Sequence, residues 1–198
     1  MRPLDRPLFI LYAAKDFLEK GTAAAAKDFK TDSNLPKQFD SLVHARLCMP
    51  VVNIIFSLEL TIKGLLKYEG KTFPPVHDLS KLFTILDQTI IDQIIAHYRS
   101  HDHYKNYVCI RLFSGDRDTP FEATSIPLLP KDISGVTALI ASHGTYFVEF
   151  RYLFELEDTK ELIVRFRELA NLAFSAITVL GKNLNKTVIL TSIPASMR

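Results

Sequence analysis

One segment, from Pro50 to Tyr68, is apolar on nearly every side of a helix and constrains the fold more than any other feature. A surface helix carries a single apolar stripe, whereas a helix that is apolar all round must be buried by several neighbours. Pro50 lacks a backbone donor, so it either kinks this helix or begins its second half, and Gly70 ends it. The longest apolar run, 47–62, is shorter than the roughly 20 residues that a bilayer span needs. We therefore expect the central helix of a bundle and no membrane span.

Helical periodicity recurs on both sides of this segment. Residues 5–20 form a predicted helix that Gly21 ends. The final helix is predicted from Leu162 to Leu184, and Asp158 and Glu161 have the spacing of a capping box before it. Its apolar residues follow at alternating threes and fours, so they form one stripe: Leu162, Phe166, Leu169, Ala173, Ile177, Leu180 and Leu184.

Residues 104–130 are different in kind. Pro120, Pro127 and Pro130 exclude a continuous helix there, and the β-branched and aromatic residues favour strands. This region is therefore predicted to be an irregular insertion or a small β-hairpin.

The expected fold class is all-α, an antiparallel up-and-down helical bundle. The 14 Phe, the absence of Trp and the 7 Gly favour long helices over a turn-rich sandwich. A chain of 198 residues suits a single domain, 1–198, with the insertion at 104–130 and a flexible tail at 185–198.

Charge and cysteine content indicate the cellular compartment more than the activity. A net charge of +2 neither requires nor excludes nucleic acid. Cys48 and Cys109 lie far apart, without metal-ligand spacing, which favours a reducing compartment and argues against a structural zinc. No secretion signal is evident at the N-terminus, so we expect a cytoplasmic protein. No cofactor is predicted.

Polar residues interrupt the apolar segment and the loop after it. Glu59 and Lys63 are four residues apart, so they share a helix face and form an ion pair. His77 is expected to hydrogen-bond Glu59 or a backbone carbonyl, and Asp78 to cap a short helix. A buried carboxylate persists only when it is partnered, so we interpret these four residues as a structural polar cluster. A ligand-binding role is the alternative.

The segment "SLELTIKGLLKYEGKTFPPVHDLSKLF", Ser57–Phe83, resembles the HEPN superfamily, whose members share a buried Glu-Leu-x-x-Lys helix and then His-Asp-Leu. A second segment, "FVEFRYLFE", Phe147–Glu155, is similar to the Arg-Tyr region before the final helix of that family. The resemblance covers 40–86 and 145–184. It implies an all-α bundle, a homodimer, and binding of RNA or a nucleotide, in a defence or toxin–antitoxin setting.

Many members of that family are metal-independent ribonucleases with an arginine followed, after four to six residues, by a histidine. This chain departs from that pattern, because no histidine stands at that spacing after Arg151. The resemblance therefore implies a binding protein without nuclease activity. The alternative is a ribonuclease in which the fold brings His143 or His103 to Arg151.

Ligand contacts are predicted at Arg151, Tyr152 and Arg99. The arginine fork suits phosphate and the tyrosine can stack on a base. An ion pair between Arg151 and Glu155 is the competing interpretation. The run "HYRSHDHYK", His97–Lys105, indicates a solvated helix end or a phosphate-binding edge, with only a weak case for a metal site.

A homodimer is expected because the final helix carries more apolar surface than one neighbour can cover. A partner protein encoded nearby is a second expectation, drawn from the family resemblance.

Overall fold

The computed structural model describes residues 7–28, 41–105, 109–113, 122–145 and 161–186. This part of the chain is mostly helical, as predicted. The helices are α1 Pro7–Asp28, α2 Ser41–Tyr68, α3 Leu79–Phe83, α4 Gln88–Ser100, α5 Ile133–His143 and α6 Phe166–Asn183. The strands are β1 Cys109–Phe113, β2 Glu122–Ser125 and β3 Glu161–Arg165.

Helix α2 is the central helix, and its apolar residues are buried on several sides by α1, α3 and α6. Pro50 lies inside it, so the helix begins well before the proline. Gly70 ends it with φ of +72°, where Gly70 N–H bonds to the Lys67 carbonyl and Lys71 N–H to the Leu66 carbonyl. This is the Schellman pattern that a left-handed glycine allows, and the predicted end of the helix is confirmed.

Helix α1 runs through Gly21, so the prediction that this glycine ends it is wrong. The glycine instead allows α1 and α2 to approach closely. A Cβ atom at Gly21 would lie 2.8 Å from Ile54 Cγ1 and 3.0 Å from the Pro50 carbonyl oxygen.

Within the described residues, Met49–Tyr68 is the one helical segment long and apolar enough to cross a membrane, and 67% of that segment is buried inside the fold. Burial of this kind is what the core helix of a bundle requires.

A three-stranded antiparallel sheet has the order β2-β1-β3. The β1–β2 pair, in which Ile110 faces Ser125, is the small hairpin expected in the insertion. The third strand was not predicted. Leu162 pairs with Leu112 and Glu161 with Phe113, so these residues lie in β3 and not in the final helix.

The prediction that the final helix begins at Leu162 is therefore wrong, because α6 begins at Phe166. The helical spacing of apolar residues continues back through Glu161–Arg165, but this segment pairs as a strand with β1, more than 40 residues earlier in the chain. Asp158 of the predicted capping box lies outside the described residues. The helix ends in a second Schellman pattern, with Asn185 at φ 54° and Lys186 N–H bonded to the Gly181 carbonyl.

Helix α6 is buried over most of its length by α1, α2 and α4. Most of the apolar stripe from which a homodimer was expected, from Phe166 to Leu180, is therefore covered within the chain. Dimerisation stays a prediction, without that surface as its basis. The tail beyond Lys186 lies outside the described residues.

Candidate functional site

The first polar site is the loop cluster of Glu59, Lys63 and His77. Glu59 lies on α2 and is 1% exposed, and its Oε1 atom accepts from Lys63 Nζ at 2.6 Å. The Nδ1 atom of His77 is 3.1 Å from both carboxylate oxygens. Since a carboxylate oxygen can only accept, Nδ1 is the protonated nitrogen in this contact. The carboxylate thus holds the loop after α2 against the bundle.

Asp78 follows His77 and acts as the N-cap of α3. Its carboxylate accepts from the backbone N–H groups of Ser80 and Lys81 at 3.0 and 3.2 Å. Capping satisfies donors that a helix N-terminus leaves free. These contacts support the architectural interpretation of the loop, which stays a prediction until variants are tested.

The second site is the ring cluster, a group of five rings where the C-terminal end of α4 meets α6. Its members are His97, His101, His103, Tyr104 and Phe174.

The rings form two stacked pairs. His101 lies parallel to His97, with centroids 4.0 Å apart, and His103 lies nearly parallel to Phe174 at 4.7 Å. His97 meets Phe174 edge to face at 5.5 Å, which joins the pairs. His101 and His103, at the two ends, are exposed, whereas Tyr104 is buried. Two imidazole rings are thus exposed to solvent, and each is stacked on a second ring of the cluster.

Positive charge lies beside these rings. The pKa of His97 is lowered to about 4, mainly by burial and also by the charges of His101 and Lys182. His97 is therefore neutral near pH 7, and it shares a hydrogen bond with Ser175 Oγ at 3.1 Å. The exposed Lys182 is near enough to His97 for its charge to act on that ring.

The carboxylate nearest to the ring cluster is already paired. Asp102 accepts from Arg167 and, at 3.0 Å, from Asn171, and Lys131 Nζ lies 3.7 Å from it. Partial burial opposes ionisation, but the bonds from Arg167 and the charge of Lys131 lower the pKa of Asp102 overall. Asn171 Oδ1 also accepts from the Tyr104 N–H at 3.1 Å, so Asn171 holds the chain on both sides of His103.

Arg99, predicted as a ligand contact, borders a shallow groove of about 300 Å³ between α4 and α5. Its Nε–H donates to the Lys131 carbonyl at 2.7 Å, and Lys131 Nζ in turn lies 3.3 Å from the His101 carbonyl. Lys131 therefore links Arg99, at the groove, to the backbone of His101. The groove is lined by Gln88, Asp92, Ile95, Ala96, Arg99 and Ile133.

The predicted approach of His143 or His103 to Arg151 stays a prediction. Arg151 and Tyr152 lie outside the described residues. His143 is fully buried, and its pKa is lowered to about 4 by burial first and also by the charge of Arg165. A phosphodiester in solvent cannot reach an imidazole in that position. His103, the other candidate, is exposed in the ring cluster.

One buried polar cluster was missed by the sequence interpretation. Glu168, in the first turn of α6, is 3% exposed and accepts from Arg165 Nη1 at 2.9 Å and from the Leu129 N–H. The Cys109 thiol donates to the same carboxylate at 3.1 Å, and burial, then the charge of Glu168, raises the pKa of Cys109 to about 12. The Arg165–Glu168 spacing of three was a usable signal, but its distant partners were not.

Metal ligation was a weak alternative for the histidine run. Among the residues that the structure describes, no three His, Cys, Asp or Glu side chains are grouped so that they could hold a metal ion. The nearest approach to such a site, His97 beside His101, is a parallel stack of two rings.

Comparisons with known proteins add nothing to this geometry: no protein-family model matches the chain, and no curated protein or solved structure matches it.

Proposed function

We propose that this protein binds single-stranded RNA at the ring cluster, as a HEPN-like binding protein without nuclease activity. One observation carries the proposal. Two exposed imidazole rings, His101 and His103, are each stacked on a second ring, and the charge of Lys182 acts on one of those second rings, His97.

Surfaces that bind single-stranded nucleic acid combine aromatic faces with cations. Bases stack on the faces and cations follow the phosphates, because every base has a π-face and every nucleotide carries a charge. Duplex RNA does not offer its base faces, so the exposed rings favour an unpaired strand. The pairing of Asp102 with Arg167 and Lys131 reduces the repulsion that a free carboxylate would exert on phosphate.

The other expectations come from the sequence and the family resemblance, not from the ring cluster. They are a cytoplasmic homodimer, a defence or toxin–antitoxin setting, and a partner protein from a neighbouring gene. The missing histidine after Arg151 supports binding rather than cleavage.

The test is fluorescence anisotropy with a labelled single-stranded RNA of about twelve nucleotides. Stacking on aromatic side chains contributes about 1–3 kcal/mol per base. We therefore expect His103→Ala to weaken binding roughly fivefold to a hundredfold. Tyr12→Ala, an exposed aromatic substitution on α1, is the matched control and should leave the affinity unchanged.

The same samples are examined for shortened RNA after incubation. Intact RNA with ring-dependent binding is the expected result. Absence of binding, or equal loss in the Tyr12→Ala control, contradicts the proposal. Cleavage by the wild type that His103→Ala abolishes would replace it with the ribonuclease alternative.

A further inference from the structure

We infer that the groove between α4 and α5 is a guanine-specific subsite, in which Gln88 and Asp92 read the base and Arg99 holds the phosphate. This inference rests on the proposed function, because it assigns a base preference to the RNA that the adjoining ring cluster binds.

The polar groups of the groove are fixed relative to each other. Gln88 Nε2 donates to Asp92 Oδ1 at 2.8 Å, one helical turn away on α4. The carboxylate can only accept, so the amide nitrogen of Gln88, and not its oxygen, faces Asp92. One hydrogen of that amide is used in this bond, and the second is a donor beside the carboxylate.

This arrangement complements the Watson–Crick edge of guanine. That edge presents the O6 acceptor, the N1–H donor and the N2 amino donor in a row. The Gln88 amide can donate to O6, and the Asp92 carboxylate can accept from N1–H and N2–H together. Adenine and cytosine each place an amino donor where guanine has O6, so neither matches the amide.

The apolar side chains on the two sides of the groove suit the flat faces of a nucleobase. Ile95 and Ala96 lie on the α4 side of the groove, and Ile133, which is 46% exposed, lies on the α5 side. A cavity of about 300 Å³ is at the lower end of the range for small-ligand pockets. It therefore accommodates one nucleotide with part of its surface open.

The guanidinium of Arg99 is positioned to contact the phosphate of the same nucleotide. Arg99 lies seven residues after Asp92, two helical turns and about 10 Å along the same face of α4. Its Nε–H is held by the Lys131 carbonyl at 2.7 Å, which orients the guanidinium at the end of the groove. Asp132 lies close enough to feel its charge, but that carboxylate is engaged by Ser134 and the Gly135 N–H.

Lys131 links the subsite to the segment that carries the ring cluster. Lys131 lies between Arg99 and His101, since its carbonyl accepts from one and its Nζ lies 3.3 Å from the carbonyl of the other. A strand with guanine in the groove thus passes its phosphate over Arg99 and continues past Lys131 towards the segment that carries His101 and His103.

The experiment exchanges guanine for xanthine, which carries a carbonyl at C2 in place of the amino group. Binding of GMP, XMP and AMP is measured calorimetrically for the wild type and for Asp92→Asn. The wild type should bind GMP roughly tenfold or more tightly than AMP or XMP, because a paired carboxylate discriminates on that scale. Asp92→Asn should prefer XMP, since its amide can donate to the new carbonyl.

Asp16→Asn, a substitution of an exposed carboxylate that also lies four residues from its partner, is the matched control and should behave as the wild type. Gain of XMP binding by Asp92→Asn cannot result from misfolding. Equal binding of GMP and AMP by the wild type, or a GMP preference that survives in Asp92→Asn, overturns the inference.

Labelled twelve-nucleotide RNAs, one all adenine and one with a single central guanine, separate this inference from the proposed function. Both should bind, the second more tightly. Binding of both with equal affinity overturns only the guanine subsite. Tighter binding of GMP than of AMP, without any RNA binding, supports the subsite and contradicts the proposed function.

Discussion

Glu59 and Glu168 are both almost fully buried carboxylates, yet their surroundings differ. The partners of Glu59 are side chains that reach towards solvent: that of Lys63 is 17% exposed and that of His77 is 49% exposed. The partners of Glu168 are Arg165, whose side chain is 13% exposed, the buried Cys109 and a backbone N–H. The first carboxylate joins one loop to α2, whereas the second joins β1, β3 and the chain before α5 to α6.

The difference predicts how each site responds to the loss of its carboxylate. A partner that can be rehydrated loses little when its carboxylate is removed, whereas a buried one is left uncompensated. The region around Glu168 should therefore be the more sensitive of the two.

The largest effect is expected from Glu168→Ala. It removes the acceptor of Arg165, of Leu129 N–H and of the Cys109 thiol at once, so we expect a loss of about 3–5 kcal/mol in the free energy of unfolding. Urea denaturation measures it, with Asp16→Ala on the surface of α1 as the control. A loss no larger than that of the control would show that Glu168 is not structurally required.

Acidification should act on the same region through His143. Its pKa is about 4 in the fold and about 6.5 when unfolded, so the unfolded state binds more protons between these values. Its contribution to stability is complete above pH 6.5 and declines as the pH falls to 4, by an amount on the order of 2–3 kcal/mol.

His143→Asn removes the titration and keeps a donor for the Leu139 carbonyl, which His143 Nδ1 contacts at 3.1 Å. Thermal unfolding followed from pH 7 to pH 4 should show a weaker pH dependence for this variant. His103→Gln, an exposed substitution, should follow the wild type. A wild-type curve that is flat over this range would contradict the assignment of a buried neutral histidine.

Glu59→Gln and His77→Ala should have smaller effects, on the order of 1–3 kcal/mol each, because their partners can turn to water. Chemical denaturation of both variants measures this, and RNA affinity is measured on the same preparations. Unchanged stability together with lost RNA binding would make the loop cluster the ligand site and reverse its interpretation.

The smallest effect concerns reactivity rather than stability. The thiolate is the reactive form of cysteine, and burial and Glu168 hold the Cys109 thiol protonated. Labelling with iodoacetamide at pH 8, followed by mass spectrometry, should modify Cys109 only after denaturation. Rapid modification of Cys109 in the native protein would show that the region around Glu168 opens readily.

The same two sites show what sequence can and cannot reveal. Glu59 and Lys63 could be predicted because helical spacing places them on one face, and Gly70 because a left-handed turn favours glycine. The bonds of Glu168 to Leu129 and Cys109 span 39 and 59 residues, and no local pattern encodes such distances.

Local patterns also misled where tertiary contacts decided the outcome. Gly21 looks like a helix end, but α1 continues through it and packs closely against α2 there. Leu162 continues a helical stripe, but pairing with β1 makes it a strand residue. The ring cluster was visible as a histidine-rich run, whereas its base, Phe174, lies on α6 and could not be assigned to it.

One paired measurement tests whether a structural loop cluster is separate from an RNA-binding ring cluster in this protein. The affinity for the same labelled single-stranded RNA is compared between His77→Ala and His103→Ala at a temperature where both are folded. We expect wild-type affinity for His77→Ala and a loss of roughly fivefold to a hundredfold for His103→Ala. The reverse result, with RNA binding lost in His77→Ala and kept in His103→Ala, would contradict it.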